Sequence, residues 1–320
     1  MSAAVTRDQL EAGLARARAR AGSSDPRAGI HGPDSVTWEL NREAVNFVGG
    51  GRAILLQLAH PYVAHAIAQH STTLTDARGR FERTFAGVFA MAFGDLDQAF
   101  RAARRVHAIH SRIRGTIDED VGAYRRGTPY QALDPRALFW VHATLVDTVL
   151  VVREEIFGPL DAYRTEAYYQ ESKRFACLFG IPEELIPADH AAFRAYVRDM
   201  VASDRLAVGK VAREIGEFVL AAPLRAFRPA MQWYRVLTAG LLPEPVRRGY
   251  GFRHGRVERA LYAASLRALR PAVRALPRQL RYLPAYLEAE ERLGLGAQRR
   301  LGRIADRLAI TGMGIWPRPG

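Results

Sequence analysis

Apolar residues recur at spacings of three and four along almost the whole chain, which is the period of an amphipathic helix. Alternation of apolar and polar positions, which is typical of a half-buried strand, is nearly absent. We therefore predict an all-α protein with a single multi-helix domain. The predicted helices span residues 8–21, 36–49, 52–70, 78–93, 96–114, 136–157, 161–179, 189–202, 205–221, 223–240, 256–270 and 278–293.

Helix start and stop signals separate these segments. Asp134 followed by Pro135 is the best-defined start, because the carboxylate can cap free backbone N–H groups and proline at the first helical position loses only a donor without an intrahelical partner. Ser35 is a similar cap before Val36. The three glycines at 49–51 are interpreted as a break between helices.

The chain shows no internal repeat and no low-complexity linker, so it is interpreted as one globular unit with irregular ends. We assign residues 1–34 to an N-terminal helix and linker, 35–295 to the helical domain and 296–320 to a C-terminal tail. The proline-containing stretches at 223–229 and 241–245 are expected to be kinks or connections within that domain.

The longest apolar run, residues 137–152, is interrupted by His142 and Asp147. A membrane-spanning helix needs about 20 predominantly apolar residues, so this run is better explained as a buried core helix. The first 22 residues lack a signal-peptide pattern, and the single cysteine, Cys177, excludes an intrachain disulfide. We expect a cytoplasmic protein, with membrane association as the alternative.

The net charge of +13 raises the question of nucleic-acid binding. Lysine occurs only at Lys173 and Lys210, so the positive charge is arginine spread along the chain, without a basic block or a recognised DNA-binding motif. We therefore predict no nucleic-acid partner. The arginines are densest between Arg247 and Arg274, where leucines accompany them, and such an amphipathic segment can lie on an anionic membrane surface. Peripheral membrane contact therefore stays open.

Candidate chemistry lies on two of the predicted helices. His142 is a lone imidazole on an apolar face with Leu138 and Leu145, and burial of such a ring is costly unless it finds a hydrogen-bond partner or a metal. His107 and His110 are three residues apart, so they share one face of the preceding helix and could face His142 across a cavity. A core histidine that donates to a backbone carbonyl is the structural alternative for His142.

Arg104 and Arg105 lie next to this histidine pair. Guanidinium groups beside a buried cavity are what an anionic cofactor such as haem requires, because its propionates need paired positive charge. Ordinary solvent exposure is the alternative interpretation of these arginines.

The remaining histidines are weaker candidates. His60, His65 and His70 are five residues apart and are interrupted by Pro61, so they cannot form a ligand set on one helix. We expect His31, His190 and His254 to be exposed. Motifs for a serine hydrolase, a zinc peptidase, a phosphate-binding loop and a dinucleotide site are all absent from the sequence.

A series of ordered blocks between about residues 35 and 290 resembles one known family, which joins the mycophenolate-pathway oxygenase MpaB with the catalytic domain of the bacterial rubber oxygenase, the latex clearing protein. The blocks are 51–61, ending in Ala59-His60-Pro61; His65 with His70-Ser71; 80–84 with Phe93-Gly94; Val106-His107-Ala108-Ile109-His110 with Gly115; 130–135; and Trp140-Val141-His142-Ala143-Thr144.

The resemblance implies an all-α, globin-like core that holds haem b through a proximal histidine and uses dioxygen, in characterised cases to cleave carbon–carbon double bonds of isoprenoid chains. His142 corresponds to the histidine that ligates iron. The helix with Arg104, Arg105, His107 and His110 corresponds to the distal side, but the lysine–threonine pair of rubber oxygenases is replaced here by histidines. One of these could take the sixth iron position or hydrogen-bond to dioxygen. Glu82 is the nearest candidate for the family's catalytic base.

Three hypotheses follow from these patterns. The first is a haem b-dependent oxygenase that acts on a small apolar substrate, such as an isoprenoid or lipid-like chain, with dioxygen. The second is a non-haem metalloenzyme in which His107, His110 and His142 bind one iron or zinc ion. The third is a non-catalytic protein that packs on membranes through its arginine-rich C-terminal helices. The sequence leaves the oligomeric state open.

Overall fold

The fold consists almost entirely of helices. A computed structural model describes residues 3–70, 77–221 and 224–295, without the side chains of 77–84. Within these ranges the chain forms fifteen α-helices and one two-stranded sheet, which confirms the all-α prediction.

The elements follow one another along the chain in this order: α1 Arg7–Ala19, α2 Val36–Asn41, α3 Gly50–Leu58, α4 Pro61–His70, α5 Ala77–Phe93, α6 Leu96–His110, β1 Arg114–Thr116, β2 Pro129–Gln131, α7 Pro135–Phe157, α8 Ala162–Cys177, α9 His190–Ala202, α10 Lys210–Val219, α11 Arg228–Leu241, α12 Glu244–Gly249, α13 Arg256–Ala275, α14 Arg278–Arg281 and α15 Pro284–Arg292.

Helix α7 lies at the centre of this arrangement and packs against α2, α3, α8 and α13. It begins as predicted, because Asp134 accepts hydrogen bonds from the backbone N–H groups of Arg136 and Ala137 at 2.9 and 3.0 Å and Pro135 is the first helical residue. By length and apolar composition α7 could cross a membrane, and 61% of its apolar window is buried within the fold. A buried core helix passes the same test.

Several predicted segments differ in detail from the observed elements. The predicted helix 52–70 is divided in two at Pro61, so that α3 stops at Leu58 and α4 starts at the proline. The segment 36–49 divides into α2, capped by Ser35, and a 3₁₀ helix over Ala44–Gly49. The sequence did not predict β1 and β2, which pair antiparallel, because three-residue strands are too short to show alternation.

The predicted break at the glycines at 49–51 is confirmed, because the 3₁₀ helix ends at Gly49 and α3 begins at Gly50, although Gly50 and Gly51 were expected between the helices. Gly50 and Gly51 begin α3, and Gly49 caps it. A Cβ atom on Gly49 would lie 2.5 Å from Cγ2 of Thr148 on α7, and one on Gly51 would lie 2.3 Å from Oγ1 of Thr238 on α11. These glycines therefore let α3 approach two neighbouring helices closely.

A buried ion pair joins the same three helices. The guanidinium of Arg52 on α3 donates to Oδ2 of Asp147 at 2.5 Å, to Oγ1 of Thr148 at 2.6 Å and to the carbonyl of Leu241 at 2.9 Å. The side chains of Arg52 and Asp147 are only 4% and 18% exposed. With its donors satisfied on α7 and α11, the arginine charge is compensated inside the core.

Replacement of one partner of this pair should destabilise the fold strongly. We expect Asp147→Ala to lower the free energy of unfolding by about 3–5 kcal/mol, because it leaves the Arg52 charge buried without its counterion. Urea denaturation measures the change. The matched control is Glu11→Gln, which breaks an exposed ion pair with Arg104 and should remove less than ~1 kcal/mol. Equal losses from both substitutions would contradict the prediction.

Candidate functional site

The polar side chains that α7 carries into the core have partners, with one exception. Nε1 of Trp140 donates to the carbonyl of Leu56 at 2.9 Å. The hydroxyl of Thr144 donates to the carbonyl of Val141 and accepts from Gln57. Asp147 and Thr148 are paired with Arg52, as described above. The exception is His142.

The imidazole of His142 is 4% exposed, and no hydrogen-bond partner of its Nδ1 atom lies within the described part of the chain. The ring stacks on Phe175 of α8, with centroids 6.0 Å apart and planes inclined by 16°, and it lies 6.1 Å from the ring of Phe139. Burial lowers the pKa of His142 from 6.5 to about 4. The ring is therefore neutral near pH 7, and its environment is apolar.

His31, which we expected to be exposed, is instead 2% exposed. It lies in the loop that precedes α2, and its Nδ1 atom is also buried without a hydrogen-bond partner among the described residues. Burial is the main cause that lowers the pKa of His31 to about 3, and nearby Arg174 and His142 lower it further. The expectation was wrong because a single residue in a polar loop carries no periodic signal of burial. His190 and His254 are half-buried.

Two clefts include residues of the neighbouring helices α7, α8 and α9 in their linings. The first, which we call the tyrosine cleft, has a volume of about 640 Å³ and is lined by His60, Tyr62, Tyr124, Asp134, Arg136, Phe139, Glu184, Leu185, Tyr196, Met200 and Arg205. The second, the α8 cleft, has a volume of about 530 Å³ and is lined by Arg20, Ala167, Gln170, Glu171, Lys173, Arg174, Cys177, Glu183 and Ile186. Neither lining includes His142, so the cofactor cavity stays a prediction.

Phe139 connects the tyrosine cleft to His142. Its ring packs on Tyr196 of α9 at 4.9 Å within the cleft and on the imidazole of His142 at 6.1 Å. His60, also buried, belongs to the same lining; burial lowers its pKa to about 4, and its Nδ1 atom accepts from the N–H of Tyr62 at 3.3 Å. The neutral ring therefore carries its proton on Nε2, which makes that atom a donor.

The residues predicted on α6 have other partners. Arg104 pairs with Glu11 of α1 at 2.7 Å near the surface, and Arg105 is exposed. Nε2 of His107 lies 3.1 Å from the carbonyl oxygen of Val5, and the imidazole of His110 is half-buried. His107 thus contacts Val5, whereas His142 contacts Phe139 and Phe175. A pairing of the two histidines across a cavity stays a prediction.

The apolar residues predicted beside His142, Leu138 and Leu145, lie on the same helix, α7. Leu138 is buried in the main hydrophobic core, and Leu145 is half-buried. The side chain of Glu82 lies outside the described residues.

A further cluster, which sequence reasoning missed, joins His65 of α4 with Asp118 and Glu119 after β1, and its ligand atoms lie within 4.8 Å of one another. Nδ1 of His65 faces the carbonyl of Pro61 at 2.9 Å, and Nε2 faces Asp118 at 2.7 Å. Glu119 also accepts the first backbone N–H groups of α10. The cluster therefore has a structural role, because it connects α4 to the start of α10.

A family model described as "ER-bound oxygenase mpaB/B'/Rubber oxygenase, catalytic domain" matches residues 38–275. The chain belongs to this family. The match covers α2 to α13 and therefore includes α7 and the region around His142.

Two mycobacterial relatives carry less information about function. They are named "Uncharacterized protein Mb2261" of Mycobacterium bovis and "Uncharacterized protein Rv2237" of Mycobacterium tuberculosis. Each is 27% identical to this chain over 149 residues, which is 45% of this chain. The matched region spans 55% of the length of each relative. No solved structure matches the chain significantly.

The description of this family names oxygenases, including the catalytic domain of a rubber oxygenase. The family description also names ER-bound members.

Three of the buried imidazoles predict a characteristic acid sensitivity. Since burial lowers the pKa values of His31, His60 and His142, the unfolded chain binds protons below about pH 6.5 while the folded chain does not until about pH 4 or lower. The free energy of unfolding of the metal-free protein should therefore fall as pH decreases through this window, by about 1.4 kcal/mol per pH unit for each ring.

Urea denaturation at several pH values measures this slope. We expect His60→Phe and His142→Phe each to flatten it by about one proton. If the wild type and both variants had the same slope, the neutral buried state of these rings would be refuted.

Proposed function

We propose that this chain is a haem b-dependent oxygenase that acts on a small apolar substrate with dioxygen. The observation that carries the proposal is the fully buried Nδ1 atom of His142, which has no hydrogen-bond partner among the described residues, on a helix whose other buried polar side chains have one. A buried polar atom without a hydrogen-bond partner destabilises the folded protein by about 1–3 kcal/mol. A site that retains such an atom is therefore a candidate for ligand binding.

The donor chemistry of this region fits iron. A neutral imidazole offers its lone pair to a transition metal, and burial keeps His142 neutral near pH 7 because it lowers the pKa of the ring to about 4. When bound, haem would supply the iron at which dioxygen is activated. The rings of Phe139 and Phe175 lie against the imidazole and exclude water from it.

The anionic edge of a haem also needs cations. Arg174 of α8 is half-buried, acts electrostatically on His31 and precedes Phe175, the ring that stacks on His142. Arg20 and Lys173 lie with it in the α8 cleft. We assign Arg174 to the propionates. The sequence also predicted Arg104 and Arg105 for this role, and Arg104 is already paired with Glu11.

The tyrosine cleft is the proposed route for the substrate. Its four aromatic rings suit an isoprenoid or acyl chain, and one of them, Phe139, also lies 6.1 Å from the ring of His142. The Nε2 proton of His60 and the charged side chains of the same lining can orient a polar group of the substrate.

The proposal predicts haem binding that depends on His142. Titration of the purified full chain with hemin should give a Soret band at one equivalent, and His142→Ala should weaken hemin affinity at least tenfold, since removal of a residue that merely orients a metal ligand already costs about 10- to 100-fold. His190→Ala, on α9, is the control and should bind hemin like the wild type.

A wild type without a Soret band after hemin addition would refute the proposal. Elemental analysis of the same sample would then show whether the histidines bind a non-haem iron or zinc ion instead.

The substrate route makes a separate prediction. Leu185→Trp replaces an aliphatic side chain of the tyrosine cleft with a bulky indole ring, which narrows the cleft. It should therefore raise the KM for an apolar probe such as farnesol in an oxygen-consumption assay while leaving the Soret band unchanged. The neighbouring substitution Ile186→Trp enters the α8 cleft and should leave this KM unchanged. Equal effects of both would argue against the tyrosine cleft as the route.

A further inference from the structure

Helix α13 has three faces of different chemistry along its 20 residues, which span about 30 Å. The inward face carries Leu266 and Val273, which are buried in one hydrophobic cluster with Val152 and Ile156 of α7. The other two faces are turned away from this cluster and are exposed. One of them is apolar, and the other is basic.

The apolar face of α13 carries no charged side chain. Its members recur at helical spacing, so they share one side of the helix. They are Val257, Ala260, Leu261, Ala264, Ala268, Pro271 and Ala272, all of them exposed. The two largest, Val257 and Leu261, are 67% and 51% exposed. A contiguous exposed surface of this kind marks an interaction site, because single apolar residues are normally scattered over a protein surface.

Helix α11 extends this surface through Trp233. The indole is 42% exposed, and its Nε1 atom donates to Oγ of Ser265 on α13 at 2.9 Å. Leu224 and Phe227, in the turn that leads into α11, are 64% and 52% exposed. Most of the large apolar side chains that are exposed within the described ranges lie after residue 217. The exposed apolar surface is therefore concentrated in the C-terminal third of the chain.

The basic face of α13, which we call the arginine row, borders the apolar face. It consists of Arg256, Arg259, Arg267, Arg270 and Arg274. Within the described ranges only Arg270 of this row has a carboxylate within 4.0 Å, that of Glu155. The single acidic residue of α13, Glu258, accepts a hydrogen bond from the backbone N–H of Gly255 at the start of the helix. The positive charge of the row is therefore largely uncompensated.

We infer that α13 and Trp233 dock on the surface of a membrane that contains anionic lipids. The helix lies in the plane of the interface, with its apolar face toward the acyl chains and the arginine row at the level of the headgroup phosphates. An indole with one apolar and one hydrogen-bonded edge suits the same level. The sequence left membrane contact of this arginine-rich region open, and the structure adds the exposed apolar face beside the arginines.

A second copy of this chain is the other candidate for covering an apolar helix face. In an antiparallel pair of α13 helices the same edges face each other, so the two arginine rows would meet. Each chain also carries a net charge of +13. This charge opposes self-association and attracts an anionic surface, so the membrane is favoured.

The first experiment measures whether lipid covers the apolar face. Cys177, the single cysteine, is buried, so Leu261→Cys provides one accessible thiol in the full chain. We expect vesicles of phosphatidylcholine with phosphatidylglycerol to slow its labelling by a water-soluble maleimide at least about tenfold, because the side chain enters the interface. Vesicles of phosphatidylcholine alone should leave the labelling rate unchanged.

Ile109→Cys is the matched control for this experiment. Ile109 is 54% exposed on α6, which packs against α1 and α5. Its labelling rate should be the same with and without anionic vesicles.

The second experiment measures affinity for the same anionic vesicles by co-sedimentation. Leu261→Glu should weaken binding at least about tenfold, because it places a carboxylate in the apolar face. Arg259→Gln and Arg267→Gln should each weaken it about fivefold. Ile109→Glu makes the same charge change as Leu261→Glu and should bind more tightly than that variant. Circular dichroism checks that each variant is folded.

Other outcomes would overturn the inference. Slow labelling of Leu261→Cys without lipid, or a dimer in analytical ultracentrifugation that Leu261→Glu abolishes, assigns the face to another part of this chain or to a second copy. Equal binding of the wild type to both kinds of vesicle, or equal losses in Leu261→Glu and Ile109→Glu, also refutes it. Hemin binding does not enter these measurements, so their failure leaves the proposed function intact.

Discussion

Every polar side chain that α7 carries into the core has to be satisfied there, and much of the structure follows from this constraint. The charge of Asp147 requires Arg52, and Arg52 in turn connects α3 to the end of α11 through the carbonyl of Leu241. Gly49 and Gly51 permit this because a Cβ atom on either would collide with the neighbouring helices. The burial of one helix thus determines how closely the others approach it.

His142 is the exception to this constraint, and the exception is what makes it the candidate ligand. Its Nδ1 atom is buried without a partner among the described residues, and its ring lies in an apolar environment beside Phe175. The match to the MpaB and rubber oxygenase family is independent of that geometry and supports oxygenase chemistry. A neutral imidazole in such an environment is suited to iron.

Local signals were predicted well where they act over a few residues. The cap at Asp134 with Pro135 and the cap at Ser35 are confirmed, because an N-cap depends only on the next two or three backbone N–H groups. The glycines at 49–51 were correctly interpreted as a helix boundary, but their role in close helix packing was hidden, because the residues they approach lie far along the chain. The surface pairing of Arg104 with Glu11 was equally hidden, because its partner lies on a distant helix.

The sequence by itself determined the all-α class, most helix positions and the family, because helical periodicity, capping and ordered motifs all lie along the chain; it also predicted His142 as the candidate ligand. Only the tertiary structure decided that Arg52 is buried, that His31 is inside rather than outside, and that Phe175 covers His142. These facts depend on contacts between residues far apart in sequence. Burial is a property of the packed assembly of helices, and no single segment encodes what covers it.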